Sequence, residues 1–262
     1  MFFVKILDFI FARIFFYKLN ILLLKLILRF LGFNHHGNLK ESGEIFFLDK
    51  VCKENPAICI DVGAYIGDYS KYILEHSNSK VYAFEPIIKS FKKLKKNEKN
   101  YPNNFFVFNM AISNKIGIRK IYLDKKNLHW SSLDKEVKPI KYLKGVKNFQ
   151  LCKVNTLDNF FKQKKNFFKK KITLIKIDTE GHEEEVLLGA KNLIKNLQPK
   201  YIQIEYNWHH LFKNTNLYTF STILKDYEVF KILPYNKKLL KIDPKRPENN
   251  YFNYSNIVFK KK

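Results

Sequence analysis

AICIDVGAYIGDYS, residues 57–70, changes character in its middle. Its first half reads as a buried strand ending in a turn at Asp61-Val62-Gly63, and YSKYILEH (69–76) has helical spacing. Gly63 and Gly67 bracket the turn, where backbone lacking a Cβ can approach a ligand and a helix start leaves N–H groups free. Working outward, KVYAFEP (80–86) is a second strand with a Lys-rich helix near 87–99, and NFFVFNMAIS (104–113) is a third. IRKIYL (118–123) is a short additional strand, and the weakly periodic stretch 124–150, with HWSSL at 129–133, is expected to form a loop over a site. ITLIKIDTEG (172–181) is the fourth strand; Val186, Ala190, Leu193 and Leu197 then predict one helix, closed by Pro199. KYIQIEYN (200–207) is the fifth, and VFKIL (229–233) with NIVFK (256–260) form a closing pair. Strands alternating with helices predict an α/β fold with a doubly wound, mostly parallel sheet.

The 262 residues are 46% hydrophobic and 27% charged, enough for a full core and incompatible with wholesale disorder. The formal net charge is +24, which fits either an anionic partner or lysines spread over every surface. Three cysteines, Cys52, Cys59 and Cys152, form no CxxC pair, so neither a disulfide framework nor a zinc site is indicated. The expected location is a reducing cytoplasm.

Residues 1–33 are the most apolar part, but Lys5, Asp8, Arg13, Lys18, Lys25 and Arg29 interrupt them too often for a spanning helix. No small-residue cleavage site follows, as a secretory signal would need. At 100° per residue Lys18, Lys25 and Arg29 share one stripe, with Leu and Ile around the rest. This pattern predicts an amphipathic segment lying on an anionic membrane surface, at the inner face of the cell membrane. The competing picture packs the segment on the following domain. Gly32, Asn34 and Gly37 mark the boundary, dividing the chain into a helical segment, 1–37, and a domain, 38–262; His35 and His36 read as loop rather than metal ligands.

The spacing Gly63-x-x-x-Gly67 is not the GxGxxG that cradles a diphosphate, which disfavours NAD and FAD. Asp61 before the turn suits a cationic ligand. Glu85, 22 residues after Gly63, stands at the end of the second strand, where an acid takes a ribose hydroxyl pair. A nucleoside with a positive charge and no phosphates is S-adenosyl-L-methionine (SAM).

In order and spacing, DVGAYIGDYS, YAFEP, NMAIS, KIDTEGHEEEVLLGA and IQIEYN resemble the FkbM family of SAM-dependent methyltransferases over residues 57 to about 210. The resemblance implies a seven-stranded class I methyltransferase sheet. It places Asp61 and Gly63 near the methionine part of SAM, with Ala64, Tyr65 and Gly67 in the same turn, Glu85 on the ribose, and Asn109 and Ala111 beside the adenine. The family usually has Asn where this chain has Tyr65, which alters side-chain contacts at the turn but not its backbone cradle. It also implies O-methylation of a sugar, glycan or related small molecule.

Methyl transfer to a hydroxyl is an in-line displacement in which a base removes the alcohol proton. Asp178, Glu180, His182, Glu205 and His209, at the ends of the fourth and fifth strands, are the candidates. Glu183 to Glu185 fit a helix-dipole role equally well. Three carboxylates could also hold a divalent ion, although a metal-free site is the preferred reading. Two rivals remain: a nucleic-acid methyltransferase, and a membrane-attached SAM-fold protein without activity. Against the first, IDTEG stands where base-methylating enzymes carry an Asn- or Asp-Pro-Pro-aromatic turn; against the second, the acids are intact. The expected partner is a carbohydrate or small-molecule acceptor, free or carried on lipid.

Overall fold

The computed structural model describes residues 2–35, 37–123, 131–134, 148–164, 167 and 170–262. Two helices, α1 (Phe2–Phe11) and α2 (Tyr17–Phe30), flank a 3-10 turn at Ile14–Phe16, and α3 (Glu44–Lys53) precedes the first strand. Strands and helices then alternate: β1 (Ile58–Val62), α4 (Asp68–His76), β2 (Lys80–Phe84), α5 (Ile88–Glu98) and β3 (Phe105–Phe108). Next come β4 (Ala111–Ile112), β5 (Gly117–Tyr122), β6 (Phe149–Asn155) and α6 (Leu157–Lys162). β7 (Ile172–Ile177), α7 (Glu183–Leu188), α8 (Lys191–Leu197), β8 (Tyr201–Tyr206), α9 (His209–Lys213) and α10 (Leu217–Ile223) follow. Last are β9 (Tyr227–Lys231), β10 (Leu240–Lys241) and β11 (Ser255–Lys261).

The main sheet has the order β10-β9-β11-β8-β7-β1-β2-β3. β3, β2, β1, β7 and β8 are parallel, whereas β11, β9 and β10 are joined by antiparallel pairings. This is the doubly wound, mainly parallel sheet expected, with β10, a two-residue edge strand, added to the seven. β1 is buried at all five positions, because helices cover both faces and each face must be apolar. Ile58, Ile60 and Val62 face Leu157, Val186 and Leu193; Cys59 faces Phe47, Ile73 and Leu94.

Three expectations change in detail. Residues 104–113 are not one strand: β3 ends at Phe108, and β4 joins a second sheet, β4-β6-β5. The predicted helix after the fourth strand is two, α7 and α8, broken at Gly189-Ala190. A Cβ at Gly189 would lie 1.9 Å from the Ser113 carbonyl oxygen, so the break lets two backbones meet. Helix α6 was not anticipated; Thr156 caps it by accepting from Asn159 N–H (2.9 Å). It delivers Phe160 onto Phe108 and Phe84, with centroids 4.7 and 4.9 Å apart. Of the expected loop over a site, residues 124–130 and 135–147 lie outside the described residues, as does His36.

Among the described residues of the N-terminal segment, the buried ones lie near its end. Leu28 is the buried residue of α2, and Phe33 is buried just beyond it. Lys231 of β9 donates to the Leu31 carbonyl (2.8 Å), and Asn34 N–H donates to the Tyr254 carbonyl (2.9 Å). His35 bonds the Arg29 carbonyl at 2.9 Å, an end-of-helix contact that accounts for it without a metal. Among the described residues no helix is long and apolar enough to cross a membrane. The three cysteines are buried thiols; burial pushes Cys59 up to about 12 and Cys152 to about 11.

Candidate active site

The strand register brings the acids together. Val62 pairs with Phe84 and with Ile177, and Ile177 pairs with Ile204. The next residues, Gly63, Glu85, Asp178 and Glu205, therefore emerge at one level on the carboxyl edge of the sheet. The chain reverses its direction of winding between β1 and β7, which is where such sheets open a crevice. A cavity of about 400 Å³ occupies that place.

Of the residues expected to hold the cofactor, Gly63, Ala64, Tyr65, Glu85 and Ala111 line this cavity. The Gly63 and Ala64 N–H groups both donate to the Phe84 carbonyl (3.0 Å), which draws the β1 turn against β2. Gly63 has φ 84°, and a Cβ there would stand 1.8 Å from the Asp178 carbonyl oxygen. Tyr65, also at positive φ (49°), donates its N–H to Glu85 Oε2 (2.9 Å), while Ile87 N–H donates to Glu85 Oε1 (2.7 Å). Asparagine tolerates that left-handed conformation better than tyrosine, which gives a backbone reason for the usual Asn at this turn. Burial pushes Glu85 up to about 8 although these two N–H groups favour its charge. Each carboxylate oxygen retains acceptor capacity beyond its one backbone donor.

Asp61, Gly67 and Asn109 do not line the cavity. Asp61 points to the other face of β1, where Ser70 donates to it (2.6 Å), and burial raises its pKa against the pull of Lys176. Gly67 sits at the N-cap of α4 with φ 95°, where a Cβ would meet Leu94 at 2.4 Å. Asn109 donates to the carbonyls of Glu85 (2.9 Å) and Pro86 (3.1 Å), holding the β2 end in shape.

Asp178, Glu180 and Glu205 all line the cavity, with carboxylate oxygens within 4.8 Å of one another. Lys176 Nζ lies 2.8 Å from Asp178; burial opposes its charge, but Asp178, Asp61 and Glu44 hold its pKa above the usual lysine value. Asn207 donates to Glu205 (2.7 Å) and more weakly to Glu180 (3.4 Å). Glu180 has φ 55°, its carbonyl accepts from Ser132 Oγ (2.8 Å), and its carboxylate lies 2.9 Å from His209 Nδ1. Burial, then Asp178 and Glu180, drives Glu205 well above the ordinary carboxylate range. Burial also raises Glu180, against the opposing His209.

His182 does not belong to this group. It is fully buried, with Nδ1 2.7 Å from Asp134 and Nε2 2.8 Å from Ser113 Oγ, and it does not line the cavity. His209, likewise buried, backs Glu180 rather than facing the cavity. Glu183 accepts from Thr179 N–H (2.7 Å) and pairs with His210 (2.9 Å); burial raises it, but His210 brings its pKa below the usual value. Asp178, Glu180 and Glu205 are close enough to share a metal ion, as are Asp134, His182 and Glu185. In each set a lysine ammonium already meets a carboxylate: Lys176 on Asp178, and Lys213 on Asp134 (3.0 Å) and Glu185 (2.8 Å). Asn207 and Lys176 stand within the motifs IQIEYN and KIDTEG, but the sequence reading gives neither a role. The lysine inside an otherwise apolar strand is the signal that could have found it.

The cavity tests the expected cofactor by its chemistry. In a chain of net charge +24, the described lining has six carboxylates, from Glu44, Asp68, Glu85, Asp178, Glu180 and Glu205, against one ammonium, Lys176. Beside Glu85 the wall is apolar, with Ile87, Met110, Ala111, Ile112, Ile121 and Leu133. Acids for a sulfonium and an ammonium, a buried carboxylate for the ribose and an apolar slot for a base together suit SAM. They suit a polyphosphate nucleotide poorly.

The Methyltransferase FkbM domain model matches residues 61–242. The chain belongs to the FkbM methyltransferase family. SAM is accordingly its methyl donor, and the reaction of this FkbM protein is SAM-dependent methylation. No curated protein matches the sequence well enough to count as a relative. Solved structures of similar course include an O-methyltransferase from Bacillus cereus in complex with SAH (11% identity, TM-score 0.48, covering 87% of this chain and 84% of that one). A SAM-dependent methyltransferase from Aquifex aeolicus is 15% identical with TM-score 0.42, covering 83% and 90%. An SAH-bound methyltransferase from Podospora anserina is 9% identical with TM-score 0.45, covering 85% and 78%.

Calorimetry on Glu85→Ala should show SAM affinity reduced about tenfold or more with the fold retained, since hydrogen bonds to a charged acceptor contribute about 1.5–3 kcal/mol each. In the wild type, affinity should rise as pH passes through about 8 and Glu85 ionises; Glu85→Gln should lose that rise. Unchanged affinity in both variants would remove Glu85 from the ribose.

Proposed function

We propose that this FkbM methyltransferase moves the methyl group of SAM onto a hydroxyl of a sugar, glycan or related small acceptor. The observation that supports this most is the trio Asp178, Glu180 and Glu205, set together at the cavity wall, where burial raises the pKa of Glu180 and Glu205. A hydroxyl gives up its proton only to a well-placed base, and crowded buried carboxylates are stronger bases than exposed ones. Bound SAM supplies an electrophilic methyl. Gly63, Ala64 and Tyr65 would hold its methionine end and Glu85 its ribose. Asp178 and Glu205 orient the acceptor hydroxyl and accept its proton, and Asn207 fixes the rotamer of Glu205 (2.7 Å). Trp208 in the cavity wall, 38% exposed, offers an aromatic face for the apolar side of a sugar ring.

A nucleic-acid substrate gains little from this cavity, since the one ammonium of the described lining, Lys176, is already paired with Asp178 and leaves a phosphate no cation to meet. The test is SAH release from SAM by the purified protein with a panel of mono- and oligosaccharides, short hydroxylated metabolites and RNA. Acceptor-dependent turnover with a hydroxyl compound, and a product carrying an O-methyl group by mass spectrometry and NMR, is the expected outcome. Stimulation by RNA alone would overturn it.

A further inference from the structure

Residues 4–31 present an apolar surface that nothing in the described chain covers. Phe9 is 72% exposed, Phe30 81%, and Ile14 and Phe15, at the turn between α1 and α2, 95% and 84%. Every described side chain of α1 is exposed, whichever way it points, and Leu28 is the buried residue of α2. Water-facing surfaces do not carry so many large apolar groups in one place. Lys5, Arg13, Lys18, Lys25 and Arg29 are interleaved with them, against the single acid Asp8.

We infer that this segment docks on an anionic lipid bilayer, lying in its interface with the Ile14-Phe15 turn inserted deepest. Lys18, Lys25 and Arg29 share one stripe of α2 and apolar residues cover the rest, so a bilayer interface can bury the wide apolar side while its anionic headgroups meet the cations. A second copy packed through a two-fold axis would set five cations against the same five; anionic headgroups neutralise them. Neither helix is long and apolar enough to pass through.

The end of the segment is tied to the C-terminal part of the chain by several contacts. The Leu31 carbonyl is held by Lys231, Phe33 packs edge-on against Tyr251 (5.9 Å), and Asn34 is held by Tyr254. Tyr254, Gly37 and Leu39 then form part of the cavity wall. At no more than about 3.6 Å per residue, the strap from Leu31 to Leu39 keeps the cavity within about 30 Å of the docked helix. An acceptor carried by the membrane would be within that range, although the docking itself does not depend on the acceptor's identity.

Flotation of the full-length protein with vesicles of equal parts phosphatidylcholine and phosphatidylglycerol tests the inference, with phosphatidylcholine vesicles alone as the comparison. The protein should float with the anionic vesicles at low salt and much less with the neutral ones. Ile14→Asp with Phe15→Asp should abolish capture, and Lys18→Gln and Lys25→Gln should each weaken it about fivefold. SAM affinity by calorimetry should stay at the wild-type value in all of them, since none touches the cavity, and this separates lost docking from lost fold. Full-length protein remaining at the bottom of the gradient with anionic vesicles would overturn the inference. So would a stable dimer in sedimentation that Ile14→Asp with Phe15→Asp splits while no vesicle captures the wild type.

Discussion

Asp178→Asn and Glu205→Gln are expected to lower kcat by about 10²–10⁴-fold while leaving SAM affinity within a few-fold of wild type. That is the usual range for loss of a positioned acid or base. Both residues stand at the carboxyl edge of the sheet at the level of Gly63 and Glu85 and line the same cavity. Their oxygens lie within 4.8 Å of each other and of Glu180, close enough for all three to meet one bound group. The sign of the pH effect follows. A carboxylate raised by burial and by neighbouring acids works as a base only when ionised, so the rate should climb with pH. In Glu180→Gln one neighbouring negative charge is gone, and the climb should shift to lower pH. His209 touches Glu180 and not the cavity, so His209→Asn should move this inflection and change kcat less than either carboxylate variant. Wild-type turnover of a verified acceptor in both Asp178→Asn and Glu205→Gln would place the chemistry elsewhere.

Gly63→Ala should be among the most destabilising single substitutions in the domain. Its Cβ would stand 1.8 Å from the Asp178 carbonyl oxygen, which is backbone and has nowhere to go, and φ 84° is costly for any residue with a side chain. A loss of about 4 kcal/mol is in keeping with strain at such a position, and for a chain of this size it corresponds to a Tm lower by about 10 °C. Gly117→Ala is the control. Gly117 also has an unusual φ, 151°, but nothing lies within 4 Å of its Cβ position, so its cost should stay near 1 kcal/mol. Thermal unfolding of the three proteins decides. If Gly63→Ala unfolds within a degree or two of wild type, the close approach of the β1 and β7 ends is not rigid.

The strand ends were legible in the sequence because an acid closing an apolar run is conspicuous and because the sheet fixes where such ends meet. Asp178, Glu205, Glu85 and the Gly63 turn are read at the strand ends this way, and all of them line the cavity. Legibility failed where a side chain's direction decides. Asp61 and Val62 are adjacent, and strand alternation sends Asp61 to the face bearing α4, where Ser70 takes it. His182 begins a helix, and whether it faces the cavity or the interior depends on the positions of Ser113 and Asp134, 69 and 48 residues away. Helix α6 and strand β6 follow a weakly patterned stretch; α6 is held by Phe160 on the Phe84 and Phe108 rings, and β6 by its pairing with β4 and β5. The break between α7 and α8 leaves Val186, Ala190 and Leu193 all buried, so periodicity alone reads straight through it.

Six described residues other than glycine adopt positive φ, and three of them are asparagines, which bear it well. Tyr65 and Glu180 bear it poorly, and both stand in the wall of the cavity. Selection for heat resistance would therefore find its easiest gains in the same two turns that shape the catalytic pocket, by exchanging these residues for glycine or asparagine. At Tyr65 such an exchange would restore the family's usual Asn, whereas at Glu180 it would remove an acid from the cavity wall, so a screen for robust variants needs activity scored in the same round.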